Sequence, residues 1–169
     1  MDIKRVRLLV VMDGSEASER ALRYVTRVVG GRRNFRVCLM HALPPVPPAL
    51  LEFGGEQRPG EEESSEEALR RRQRQWVAEA KRQARPALDR ALGILRKAGL
   101  APGRLAAKFL DPPIRGRMVE EILSQARARR CRGIVIGRES MSWLREFVDG
   151  DLAQELVRAA KGFTVWVVE

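Results

Sequence analysis

Two short stretches hold the residue types whose spacing could do chemistry. Asp13-Gly14-Ser15 follows an apolar run; Gly14 there permits close backbone approach, and Ser15 can cap a helix whose first amides attract anions. Taken alone, the same three residues read equally well as a capped strand-to-helix turn. The second stretch is sharper: Gly137, two residues, Ser140, nine residues, Gly150, then Asp151 opening a helical segment. Arg138 and Arg145 lie in that loop, where they either meet a ligand or face solvent. The other candidates are weaker. His41 has no Ser or Cys nucleophile at a recognisable spacing, so it reads as structural, and no pair of carboxylates suggests acid and base roles. Cys38 and Cys131 fit neither a disulfide framework nor, with one histidine in the chain, a zinc site; Cys38 reads as a small core residue.

The elements that must position these residues follow from periodicity. Val6–Met12 is nearly continuously apolar, as a strand buried on both faces is. From Glu16, Ala21, Leu22, Val25, Val28 and Val29 recur at helical spacing until Gly30-Gly31. A second strand spans Arg36–Ala42. Residues 43–60 are rich in Pro and Gly and predict a loop. A long helical pattern follows to about Ala98, with Leu69, Val77, Ala80, Ala84, Leu88, Ala91, Leu92 and Leu95 as its stripe, and Pro86 is expected to kink or interrupt it. Arg70-Arg71-Arg72 on this helix reads as a solvated face pairing with Glu66 and Glu67. Leu105–Leu110 is a third strand, Ile114–Arg130 a helix, Gly133–Gly137 a fourth strand, Asp151–Ala160 a helix, and Phe163–Val168 a fifth strand. Trp143 and Phe147, before the last helix, could cover a site or fill a contact between copies.

Strands alternating with helices are right-handed βαβ crossovers, which make a parallel sheet covered on both faces: an α/β three-layer sandwich. Its 169 residues suit a single domain, 1–169, with the Pro/Gly-rich loop at 43–60. Ligands in such sheets sit beyond the carboxyl ends of the strands, where strand order reverses, which puts both stretches in the region to search. With 44% hydrophobic and 32% charged residues the chain can bury a core. No apolar run is long enough for a membrane span or a signal peptide, so a cytoplasmic protein is expected. The net charge of +10 invites a nucleic-acid reading. Against it, the arginines are spread along the whole chain, and aromatics, at 5%, do not alternate with basic residues into a base-stacking platform.

Over nearly its whole length the chain resembles the universal stress protein family. The carriers are residues 10–18, Val-Val-Met-Asp-Gly-Ser-Glu-Ala-Ser, the strand Val37–Ala42 with His41, Gly133–Gly137 and Val165–Val168. The resemblance implies strand order 3-2-1-4-5 and a homodimer formed through the fifth, edge strand at 163–168. An uncovered strand of that alternating pattern would be a pairing template, so a dimer is its natural cover. ATP-binding members show Gly, two residues, Gly, nine residues, then Gly followed by Ser or Thr, with an Asp at the end of the first strand. Carried over, Asp13 matches that Asp, Ala42 a backbone contact to adenine, and Gly137 and Gly150 two of the glycines.

Two positions depart from the pattern. Ser140 replaces the middle glycine and hinders close backbone approach. Asp151 replaces a hydroxyl that would donate to phosphate; its carboxylate only accepts, and as an N-cap it takes the amides a phosphate would use. At about 4 Å and an effective dielectric near 20, carboxylate against phosphate is about 4 kcal/mol unfavourable. The expectation is therefore a degenerate adenine-nucleotide site that binds ATP weakly or through Mg²⁺, with no catalytic residues. A slow ATPase and a basic nucleic-acid binder are the alternatives.

Overall fold

The computed structural model describes residues 5–51, 62–112, 117–142 and 151–169. Its five strands form one parallel sheet: β1 (Val6–Met12), β2 (Phe35–Ala42), β3 (Leu105–Leu110), β4 (Gly133–Gly137) and β5 (Thr164–Val168), in spatial order β3-β2-β1-β4-β5. The helices are α1 (Glu16–Val29), α2 (Glu62–Lys97), α3 (Met118–Ala128) and α4 (Leu152–Ala159). Strand order reverses between β1 and β4, so the crevice at the carboxyl ends opens beside β1.

The core lies in two layers, one on each face of the sheet. One holds Leu8, Val10, Leu39 and Val135 under Leu22 and Val25 of α1 and Leu88, Ala91 and Leu95 of α2. The other holds Leu9, Val11, Met40, Ile134 and Ile136 under Ile122 and Leu123 of α3 and Leu152 and Leu156 of α4. β1 and β4 read as unbroken apolar runs because neighbouring residues feed opposite layers, and every residue of β4 is buried.

The expected elements recur with small shifts: β2 starts at Phe35, β5 at Thr164, and α4 at Leu152 with Asp151 as its N-cap. α3 covers Met118–Ala128; residues 114–116 of the expected helix lie outside the described residues. The described part of the proline-rich segment, residues 43–51, contains a short 3₁₀ turn, Pro48–Leu50. Of the two outcomes expected at Pro86, a kink or an interruption, the interruption does not occur: α2 runs through it. It is exposed, as is Arg82 one turn back, so water can satisfy the carbonyl that the missing N–H leaves free.

Candidate functional site

β1 ends in a turn built on Asp13. Its Oδ1 accepts from the Ser15 amide at 3.1 Å and the Ser15 hydroxyl at 2.5 Å, and its Oδ2 accepts from the Met141 amide at 2.6 Å. Gly14 sits at φ +81°, a left-handed conformation that L side chains rarely adopt. Ser15 then caps α1, its hydroxyl accepting from the Ser18 amide at 3.2 Å. The carboxylate thus ties the end of β1 to the turn after β4, across the point where strand order reverses.

Asp13, Gly14, His41, Ala42 and Pro44 form one wall of a cleft of about 400 Å³. The opposite wall is one face of α2: Trp76, Glu79, Ala80, Gln83, Ala84 and Ala87. Leu88, Ala91 and Leu95 are buried in the core, whereas Trp76 and Ala80, two or three turns earlier, are half-buried. α2 therefore overhangs the carboxyl ends of the strands. It is tied there by the Lys81–Asp111 ion pair at 2.9 Å, by Arg85 over the Phe109 ring at 5.1 Å, and by Gln73 donating to the Leu50 carbonyl at 2.6 Å.

His41 is 4% exposed. Burial pushes its pKa down, against the opposing effects of the Ala42 carbonyl and the Asp13 charge. A carbonyl only accepts, so Nδ1 must donate to Ala42 O at 3.1 Å, and the neutral ring leaves Nε2 as an acceptor on the Gly14 side of the cleft.

The remaining candidates divide. Gly137 packs under α1, where a Cβ would lie 2.4 Å from the Ala17 carbonyl oxygen and 2.6 Å from the Ser140 hydroxyl. Ser140 is buried, its amide bonds Gly137 O at 3.1 Å, and its hydroxyl has no partner among the described residues. Arg138 and Asp151 stand 3.9 Å apart in a separate cleft of about 290 Å³ with Val157 and Val167. Asp151 caps α4, accepting from the Ala153 amide at 3.0 Å, while Arg138 also pairs with Glu169. Gly150, Trp143, Arg145 and Phe147 lie outside the described residues.

Sequence reasoning missed Trp76, Glu79 and Gln83. The signal was a lone tryptophan on the polar half of a long helix, in register with Ala80, Ala84 and Ala87.

The model of the Universal stress protein family matches residues 5–99. A universal stress family protein from Burkholderia pseudomallei is similar in structure, at 17% identity and TM-score 0.65, covering 99% of this chain and 98% of that one. So are an Archaeoglobus fulgidus universal stress protein in complex with dAMP (19%, 0.55, 99% of each chain) and a universal stress protein in complex with cAMP (16%, 0.56, 97% and 96%). No curated protein matches the chain. With more than half of its length matched by the family's sequence pattern, and with the sheet order 3-2-1-4-5 in place, the chain belongs to the universal stress protein family.

Proposed function

We propose that this protein is a stress-response binding protein whose crevice takes an adenine nucleotide poorly by itself and better as the magnesium complex. The base would lie in the cleft between Asp13, Gly14 and Ala42 on one side and Trp76 on the other. The relatives in complex with dAMP and cAMP support that ligand class. Glu79 and Gln83, with the His41 Nε2 acceptor, would read the polar edge of the ligand.

One observation carries the reading: the Asp151 carboxylate accepts the Ala153 amide at 3.0 Å, which places a negative group at the start of α4 where a nucleotide's phosphates would otherwise meet free amides. The side chain is 40% exposed and Arg138 stands 3.9 Å from it, so its repulsion on a phosphate about 4 Å away is at most about 1–4 kcal/mol, a range set by dielectrics of about 80 to 20. Asp151 suits Mg²⁺ arriving with its nucleotide rather than a resident ion. Magnesium is held by one or two carboxylates plus substrate phosphates, and no group of three His, Cys, Asp or Glu gathers among the described residues.

Isothermal titration with ATP, with and without Mg²⁺, is the test. Binding should strengthen with Mg²⁺, and Asp151→Ser should strengthen metal-free binding by about tenfold or more. Tight metal-independent binding by the unaltered protein, or an Asp151→Ser variant that binds no better, contradicts the reading.

A further inference from the structure

At the other end of the sheet, a second cleft of about 330 Å³ opens against the amino ends of β1, β2 and β3. Arg7, Arg36, Arg104 and Arg129 line it, together with the buried thiols of Cys38 and Cys131. Arg7 and Arg36 are register partners on adjacent strands, so they leave the same sheet face side by side. Arg104 comes from the turn before β3, and Arg129 from the residue that ends α3.

Two of the four guanidinium groups are anchored by backbone. Arg7 donates to the Arg129 carbonyl at 2.9 Å, and Arg104 to the Arg32 and Gly99 carbonyls at 2.6 and 3.0 Å. Carbonyls orient these groups but cancel no net charge. Among the described residues none of the four arginines forms a carboxylate pair, whereas Arg20, Arg23, Arg70, Arg82 and Arg138 each do. The Arg129 Nε is buried and has no hydrogen-bond partner among the described residues. Nor do the thiols supply a negative charge: burial raises both, and pushes Cys131 up to about 11. The wall is therefore cationic or neutral throughout.

We propose that this cleft is a second ligand site, one that takes a compact phosphorylated anion held chiefly by Arg36 and Arg129 and flanked by Arg7 and Arg104. The planar guanidinium fork matches phosphate oxygens two at a time. The site lies at the opposite strand ends from Asp13 and Ala42, so it does not depend on the adenine-nucleotide reading. Its volume suits a small molecule.

Inorganic pyrophosphate titrated calorimetrically into the full chain at low ionic strength tests this. One equivalent should bind, and added salt should weaken it. Arg36→Glu should reduce affinity about tenfold or more, with Arg36→Gln as a second variant should the first fail to fold. Arg71→Glu, the same charge change at an exposed position on α2, should stay within about twofold. No binding at low salt overturns the proposal. So does an equal loss in Arg36→Glu and Arg71→Glu, which would mean diffuse surface attraction. Direct binding of unrelated DNA duplexes that displaces pyrophosphate from the unaltered protein, and that is itself lost in Arg36→Glu, would make the face a nucleic-acid surface and overturn it too.

Discussion

The Asp13 carboxylate, with three donors already on it, has little freedom to swing toward a ligand and acts as a fixed acceptor at the mouth of the crevice. His41 beside it is neutral at pH 7, because its folded pKa lies below the ordinary 6.5. The unfolded chain therefore binds the proton more readily than the native protein. The stability that His41 contributes is fully present above about 6.5 and is lost as pH falls through the folded value. Urea midpoints should drop between pH 7.5 and 5.5, and His41→Gln should flatten that drop; an equal drop in the variant would place the proton elsewhere. The turn at Asp13-Gly14-Ser15 was legible in the sequence because it stops an apolar run of clear strand character, whereas Ala42 came only from the family resemblance. Asp151 was legible as an N-cap and Arg138 as a loop cation, but neither their pairing nor their separate cleft was. That separation depends on how β4 and β5 set the distance between loops, and residue types alone do not encode it.

Strands and helices carry different shares of fold and function, and α2 shows both. Its second half supplies Leu88, Ala91 and Leu95 to the core, and its first half reaches past the sheet to wall the cleft. Leu88→Ala should cost about 2–5 kcal/mol in chemical denaturation, the range for emptying a packed site. Trp76→Ala should leave stability nearly unchanged yet weaken nucleotide binding by about fivefold or more, since an aromatic face against a base is worth about 1–3 kcal/mol. A large stability loss in Trp76→Ala would make the tryptophan part of the core instead. The apolar stripe of α2 was plain in the sequence, but a stripe does not say where the sheet beneath it ends. That is why Ala80 and Ala84 looked like core and prove to line the cleft.

At the scale of the whole molecule, β5 lies at the edge of the sheet, its outer backbone edge unpaired among the described residues. Val165 and Val167 pack into one layer, and Trp166 and Val168 into the other, with Trp166 edge-on to Tyr24 at 6.1 Å. We propose that a second copy covers this edge, since an open, apolar strand is otherwise a template for aggregation. Sedimentation at micromolar concentration should give twice the 19.1 kDa chain mass; a monomer at all concentrations would contradict it. The parallel three-layer class was readable because strands alternating with helical crossovers leave few topologies, whereas the order 3-2-1-4-5 came from the family resemblance. Pairing between copies involves a surface that one chain does not determine.

The two ends of the sheet thus carry opposite electrostatic problems: a carboxylate at the start of α4, and a cluster of arginines without carboxylate partners among the described residues at the amino ends of the strands. The first decides the functional reading, and a crystal structure grown with ATP and Mg²⁺ tests it most directly. The base is expected beside Trp76 and Ala42, with a magnesium ion between Asp151 and the phosphate oxygens. A triphosphate resting on the first amides of α4, with Asp151 rotated away and no cation between them, would contradict it.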